Sequence, residues 1–215
     1  MKTIPLKDAV AMIPDGASVM IGGFMGVGTP ERLVDELLRQ GKRNLTVIAN
    51  DNALPGVGIG KLISAGAVRK TIASHIGLNP ETQKKMLAGE LEVDLVPQGT
   101  LVERIRAGGF GLGGVLTPTG VGTVVKKDKQ RIEVGGKPYL LETALRADFA
   151  LVQAFLADYI GNLYYALTAR NFNPVMAMAA DTVIVDADNI VPVGVISPDN
   201  VVTPGPVVDY IISHA

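Results

Sequence analysis

Residues 15–30, with the sequence DGASVMIGGFMGVGTP, constrain the fold more than any other stretch of the chain. Ser18–Ile21 is a short, mainly apolar run typical of a buried strand, and it is followed by four glycines within seven residues, Gly22, Gly23, Gly26 and Gly28. Thr29 is expected to cap the helix that follows, with Pro30 in the first turn, where no intrahelical amide bond is lost. The stretch predicts a strand, a glycine loop and a helix, an arrangement that can bring backbone N–H groups against an anion.

The glycine loop does not match the two common nucleotide-binding motifs. No Gly-Lys-Ser or Gly-Lys-Thr follows it, so it is not a Walker loop. Glu31 stands where the third glycine of a GxGxxG motif should be. Because a glycine-rich turn between a strand and a helix serves packing at least as often as ligand binding, the spacing alone leaves both interpretations open.

The rest of the chain continues the alternation of strands and helices. Apolar runs predict further buried strands at 45–49, 70–74, 93–96 and 149–154. This order predicts an α/β fold with an open, mostly parallel sheet and helices on both faces, formed by a single domain over residues 1–215. Residues 126–141 add a small polar β-hairpin that turns at Gly135 and Gly136. Residues 108–123 hold seven glycines and form either a flexible surface loop or an ordered apolar wall or subunit contact.

Polar residues directly follow several of the predicted strands. Asn50 follows the strand at 45–49, His75 follows the strand at 70–74, and Gln98 comes just after the strand at 93–96. The carboxyl ends of parallel strands meet at one edge of a sheet, where open α/β folds bind ligands, so we expect a pocket there. For His75, a pocket role and a structural hydrogen bond are both left open.

Capping residues predict where three further helices begin. Asn79 precedes Pro80 and an acidic residue, Thr100 and Glu103 have the spacing of a capping box, and Asn173 is a natural cap for the Ala/Met-rich run after it.

Composition and charge exclude several functional classes. The formal net charge of −1 argues against a non-specific nucleic-acid binder. With no cysteine and only two histidines, His75 and His214, we expect no thiolate chemistry and no metal site, and His214 is expected to be disordered at the chain end. No apolar segment approaches the roughly 18 residues that span a bilayer, and the N-terminus lacks the apolar core of a signal peptide, so we expect a cytoplasmic protein without membrane contact.

No catalytic nucleophile with a matching base is evident. No serine lies in a Gly-x-Ser-x-Gly elbow, and carboxylates such as Glu31, Asp35 and Glu81 fall on predicted exposed helix faces or first turns. The chain has the glycines and amides of a pocket without an obvious reactive group. This combination suggests half of a site that a partner chain completes.

Five segments together resemble the family I coenzyme A-transferases. They are the opening run, with Asp15-Gly16, Val19-Met20-Ile21, Gly22-Gly23-Phe24, Gly28 and Pro30, and the blocks VIANDNA, GELEVDLVPQGTLVERIRAGG, LTPTGVGT and TARNFNP, in the family's order. The resemblance covers nearly the whole chain, from about residue 6 to residue 212. It is to the A (alpha) subunit of acetate/acetoacetate CoA-transferases and to the N-terminal half of 3-oxoacid CoA-transferase.

The resemblance implies an enzyme subunit that helps to move CoA from an acyl-CoA, such as acetoacetyl-CoA, to a short-chain carboxylic acid, such as acetate. In this family a glutamate attacks the thioester, and an acyl-glutamyl anhydride and a glutamyl-CoA thioester form in turn, which is covalent catalysis. That glutamate belongs to the B (beta) subunit, in a Ser-Glu-Asn-Gly type of motif that is absent from this chain. The resemblance therefore implies no catalytic nucleophile here, activity only with a beta subunit, and an A2B2 assembly.

The resemblance also assigns binding residues. The loop that matches the family's CoA segment comprises Gly22, Gly23, Phe24, Met25, Gly26, Val27 and Gly28. Gln98 matches the family's pocket glutamine, whose amide can donate to a substrate carboxylate or keto oxygen, and Asn50 is placed similarly after the second strand. CoA enters as a substrate, so no permanently bound cofactor is expected. A valine at Gly23 is expected to weaken binding of the CoA ester with little loss of fold.

Two other functions are compatible with a glycine loop on this broad fold. A sugar-phosphate isomerase could bind phosphate there, but it needs an acid/base carboxylate, for which no motif is found. A ligand-sensing domain of a sugar-responsive regulator would carry a helix-turn-helix, for which the chain has neither room nor a basic patch. For a CoA-transferase, the acids exchanged stay open among acetate, butyrate, acetoacetate and succinate.

Overall fold

A nine-stranded sheet is the centre of the computed structural model, which describes residues 2–213. The prediction for His214 lies outside the described residues. The α-helices are α1 (Leu6–Ala11), α2 (Glu31–Arg39), α3 (Ile59–Ser64), α4 (Pro80–Leu87), α5 (Gln98–Gly109) and α6 (Asn173–Met178). The strands are β1 (Lys2–Ile4), β2 (Ser18–Ile21), β3 (Leu45–Asp51), β4 (Val68–His75), β5 (Glu92–Leu95), β6 (Gly114–Thr117), β7 (Arg131–Val134), β8 (Lys137–Thr143), β9 (Ala147–Asp158), β10 (Leu163–Tyr164), β11 (Ala180–Val191) and β12 (Tyr210–Ile212). Within residues 2–213, no helix has the length and apolar character needed to cross a lipid bilayer.

The main sheet is parallel along its principal path. Its strand order is β1-β12-β11-β9-β2-β3-β4-β5, and β10 adds one antiparallel partner to β9. The central strands β2, β3 and β9 are rich in Val, Ile and Ala and are largely buried on both faces, which explains why apolar and polar residues do not alternate in them. The prediction of an open, mostly parallel sheet is confirmed.

Helices cover both faces of this sheet, as predicted. On β2, Val19 and Ile21 pack into the same apolar cluster as α1, α2 and α3, with Leu33 of α2 among its fully buried members. Met20 belongs to the opposite cluster, which includes Leu101 of α5. The helices are thus held on the two faces by alternate residues of the same strands, and the carboxyl ends of the strands meet at one edge between them.

A small antiparallel sheet, with the order β6-β8-β7, contains the predicted hairpin. Val134 pairs with Lys137 across Gly135 and Gly136, whose φ angles are 57° and 75°, as a type I′ turn requires. The third strand, β6, comes from the glycine-rich segment 108–123. Part of that segment is therefore ordered strand, because β8 offers it a pairing partner.

The predicted helix starts agree with the structure only in part. Asn79 caps α4, because its Oδ1 accepts from Thr82 N over 3.0 Å. The capping box at Thr100 is wrong: α5 already begins at Gln98, and Thr100 lies inside it. Glu103 instead bonds the guanidinium of Arg106 one turn later, at 3.0 Å.

Candidate functional site

Asn50 and Gln98 are in contact at the carboxyl edge of the main sheet. Asn50 is fully buried near the end of β3, whereas Gln98 is exposed as the first residue of α5. Gln98 Nε2 donates to Asn50 Oδ1 over 2.9 Å. One N–H of the Gln98 amide is thereby fixed by a buried partner, and the second N–H is left to donate to a ligand.

Two further side chains complete this amide cluster, which we define as Asn50, Ser74, Gln98 and Asn171. Ser74 Oγ, near the end of β4, lies 2.9 Å from Asn50 Oδ1 and 2.8 Å from Asn50 O. Asn50 Nδ2 donates to Asn171 Oδ1 over 3.3 Å. Ser74 and Asn171 were not predicted as site residues, although Ser74 lies at the end of a predicted strand and Asn171 lies in the TARNFNP block.

The glycine loop forms a tight hairpin at the same edge. Phe24 and Val27 exchange two backbone hydrogen bonds, at 3.0 and 2.9 Å, across a tip formed by Met25 and Gly26. Both tip residues have positive φ, 52° and 88°, as in a type I′ turn. The hairpin presents the exposed side chains of Phe24, Met25 and Val27 to solvent, while Gly22 and Gly23 are buried.

Asp51 anchors this hairpin to the end of β3. Its carboxylate accepts from Met25 N at 3.1 and 3.2 Å and from Ala53 N at 3.2 Å. Both donors are non-glycine residues with positive φ, so the carboxylate helps to hold two unfavourable backbone conformations. Burial raises the pKa of Asp51, and the two amides and the neighbouring His75 oppose that rise. Because Asp51 is 3% exposed and both its oxygens are bonded, it positions the hairpin and is not presented as a nucleophile.

The two ends of the glycine loop are in contact at Gly23 and Thr29. Gly23 has φ +106°, and a Cβ there would lie 2.2 Å from Thr29 Oγ1. Thr29 Oγ1 donates to Gly22 O over 3.1 Å. The prediction that Thr29 caps α2 is wrong, because α2 begins at Glu31, after Pro30. A valine at Gly23 would therefore distort the glycine loop itself. The structure thus argues against the expectation that this substitution weakens CoA-ester binding with little loss of fold.

Asn173 is the buried residue against which the glycine loop packs. It is the first residue of α6 and not its cap, contrary to the prediction. Its Nδ2 donates to Gly28 O at 2.9 Å and to Ala169 O at 2.8 Å, and its Oδ1 accepts from Gln153 N at 3.1 Å. A Cβ at Gly22 would lie 1.7 Å from Asn173 Oδ1, so this packing requires glycine.

An apolar hollow of about 460 Å³ adjoins the amide cluster. Its walls are Phe24, Met25, Val27, Thr168 and Asn171. Asn171 belongs to both features, since it lines the hollow and bonds Asn50. Asn171 also has φ 28°, a strained value for a residue with a side chain, and such strain is common at functional sites. The edge therefore combines amide groups with an uncharged, largely apolar recess.

His75 is the neighbour of Asp51 across the β3–β4 pair. Its side chain is exposed, and its ring lies against Gly77, where a Cβ would come within 2.7 Å of His75 Cε1. These contacts place His75 beside the site without assigning it a chemical role.

Comparison with known proteins gives one family. A family model described as Coenzyme A transferase matches residues 3–214. The acetate CoA-transferase subunit alpha of Escherichia coli K12 is 58% identical over 98% of this chain and 96% of its own length. The acetoacetyl-CoA:acetate/butyrate CoA transferase alpha subunit of Clostridium acetobutylicum is 52% identical over 99% of this chain and 98% of its own length.

A solved structure shows the same fold. The glutaconate coenzyme A-transferase of Acidaminococcus fermentans superposes with a TM-score of 0.85, covering 99% of this chain and 75% of that one, at 22% identity. At this identity the likeness establishes the architecture alone. The sheet edge described above is therefore part of a fold that a CoA-transferase shares.

Proposed function

The chain belongs to the coenzyme A transferase family, as an A-subunit type of chain, and on that premise we propose that it is the alpha subunit of a heteromeric short-chain acyl-CoA transferase. The enzyme moves CoA from an ester such as acetoacetyl-CoA to a short-chain acid such as acetate. It works with a beta subunit in an A2B2 assembly. Because the chain belongs to this family, we set aside the hypotheses of a sugar-phosphate isomerase and of a ligand-sensing domain.

The observation that carries this proposal is a pocket edge with amides and an apolar recess but without a presented nucleophile. The amide cluster offers a free N–H at Gln98, and the carboxylate beside it, Asp51, is buried and bonded to two backbone amides. The one hydroxyl of the cluster, Ser74 Oγ, lies within hydrogen-bond distance of both Asn50 O and Asn50 Oδ1, so we assign the edge to binding and orienting the substrate and the attack on the thioester to another group. A half-site of this kind needs the reactive group of a partner.

The chemistry assigned to the partner is covalent. A glutamate carboxylate of the beta subunit attacks the thioester carbonyl, which releases CoA thiolate and leaves an acyl-glutamyl anhydride. The thiolate then attacks the glutamyl carbonyl, the first acid leaves, and a glutamyl-CoA thioester remains. The second acid repeats these two steps in reverse, so the thioester bond energy is conserved.

This chain supplies orientation in that sequence. Gln98 Nε2 donates to a carboxylate or thioester oxygen, and Asn50 holds the Gln98 amide in place. The glycine loop, residues 22–28, forms the wall that CoA approaches, with Asp51 fixing its tip.

Reconstitution tests the function directly. The chain alone, the beta subunit alone and the co-expressed pair are assayed for CoA transfer from acetoacetyl-CoA to acetate. We expect turnover only with the pair, since the binding edge and the nucleophile lie on different chains. Turnover by this chain alone would contradict the split site, and no turnover with any short-chain acid by a correctly assembled pair would contradict the function.

A further inference from the structure

We propose that the apolar hollow receives the tail of the acyl group or acid, and that it selects uncharged short tails over tails ending in a second carboxylate. This inference rests on the proposed function and adds the class of substrate: monocarboxylic acids and their CoA esters. Relatives of this chain carry names with both kinds of substrate, such as acetate/butyrate and 3-oxoadipate, so the family alone does not decide between them.

The walls of the hollow are mainly apolar. Three apolar side chains of one hairpin, Phe24, Met25 and Val27, are 36%, 40% and 52% exposed. They face a recess whose other walls, Thr168 and Asn171, carry uncharged polar groups. Apolar side chains that line a concave site favour an alkyl group, because its burial removes apolar surface from water.

The hollow lies next to the amide cluster. Asn171 forms part of the wall and accepts from Asn50 Nδ2 at 3.3 Å, and Asn50 in turn accepts from Gln98 at 2.9 Å. A short acid can therefore place its carboxylate, or its ester its carbonyl, at the amides while its tail lies in the hollow. A 3-keto oxygen on the tail would meet the hydroxyl of Thr168 or the amide of Asn171.

The side chains that line the hollow are uncharged. A second carboxylate at the end of the tail would lose hydration in the hollow, and none of the wall residues is a cation that could pair with it. Arg170, which precedes Asn171 in the chain, is exposed and is not one of the wall residues.

Substitution of Val27 in the assembled enzyme tests the proposal. The probes are acetate, butyrate and succinate as acceptors, with acetoacetyl-CoA as the common donor, and kcat/KM is measured for each. For the wild type we expect butyrate and acetate to be used and succinate to be used at least about 100-fold less. Val27→Trp fills the hollow. We expect it to lower the ratio of kcat/KM for butyrate to kcat/KM for acetate at least about tenfold, the scale on which an apolar pocket distinguishes one or more methylenes.

Val134→Trp is the matched control. Val134 is 51% exposed, nearly the same as Val27, but lies at the end of β7 in the small sheet. In Val134→Trp, the ratio of kcat/KM for butyrate to kcat/KM for acetate should stay at the wild-type value. If both tryptophan variants change the ratio equally, or neither changes it, the hollow is not the tail site.

Two further variants keep the test decisive if Val27→Trp fails to assemble. Val27→Ala should raise the use of longer acids such as hexanoate relative to acetate, and Val27→Lys should raise the use of succinate relative to butyrate. Efficient use of succinate by the wild type would overturn the substrate class, whether or not Arg170→Gln abolishes it. Failure of the wild-type pair with every acid would instead contradict the proposed function.

Discussion

Asn173→Ala is expected to lower the free energy of unfolding by about 3–5 kcal/mol, because three backbone groups lose their partner at once. Gln153 N, Gly28 O and Ala169 O are bonded by the Asn173 amide at 2.8–3.1 Å, and Asn173 itself is fully buried. Gln153, Gly28 and Ala169 are all half-buried, so water can replace part of what is lost at each of them. For a chain of this length the loss corresponds to a fall in Tm of about 10 °C, measured by thermal unfolding.

The control for this variant is Asn189→Ala. Asn189 is exposed and makes one long bond, 3.3 Å to Phe155 O, so its loss should change stability by no more than about 0.5 kcal/mol. A double-mutant cycle adds a sharper test, since the Cβ of Gly22→Ala would collide with Asn173. Gly22→Ala should lower the free energy of unfolding clearly less in the Asn173→Ala background than in the wild type. Additive costs would show that Asn173 does not hold the glycine loop.

Gln98→Ala is expected to lower kcat/KM for CoA transfer by the assembled enzyme about 10- to 100-fold, the range for a lost hydrogen bond to a charged group. The reason is that Gln98 is the exposed donor of the amide cluster, while Asn50 behind it is buried. Gln98→Glu should lower activity further, because a second carboxylate would face that of the substrate. The fold should be little affected by either change, since the Gln98 side chain is exposed.

Gln130→Ala is the matched control for the Gln98 variants. Gln130 is also exposed, but it precedes β7 in the small sheet and is not one of the four residues of the amide cluster. Kinetics of both variants against the wild type, with Tm as a check on folding, complete the test. If Gln98→Ala retains wild-type kcat/KM, the amide cluster does not contact the substrate.

The parallel sheet and the placement of Asn50 and Gln98 at one edge of it were predicted from the sequence for a physical reason, whereas their role in substrate binding was implied by the family resemblance and stays a proposal. Strands buried on both faces leave a continuous apolar signal, and parallel pairing brings residues after successive strands to one edge. The positions of Asn50 and Gln98 therefore depended only on local patterns and on the direction of the strands. The same reasoning extends to Ser74, which ends a predicted strand but was not singled out.

The roles of Thr29, Asp51 and Asn173 could not be predicted in the same way. Each has a short polar side chain whose local options include a helix cap or a turn, yet each bonds groups elsewhere in the fold. Thr29 bonds Gly22, Asp51 bonds Met25, and Asn173 bonds Gln153, 20 residues earlier. A tertiary partner that is buried and otherwise unsatisfied outweighs a local cap, because leaving it without a hydrogen bond costs more. Spacing along the sequence does not reveal such partners.

The same limit applies to the glycines. The spacing of Gly22, Gly23, Gly26 and Gly28 indicated a loop that a ligand approaches. In the structure, Gly22 gives room to Asn173, Gly23 to Thr29, and Gly26 provides the positive φ of the hairpin tip. The loop thus needs its glycines for its own folding, and its exposed surface consists of the side chains between them.

The central claim is that this chain binds and orients the substrate while the reactive carboxylate belongs to the beta subunit. Intact-mass measurement of both subunits tests it, after the assembled enzyme has been incubated with acetoacetyl-CoA in the absence of an acceptor acid. The account predicts a covalent CoA adduct on the beta subunit and an unmodified mass for this chain. A CoA adduct on this chain would contradict it.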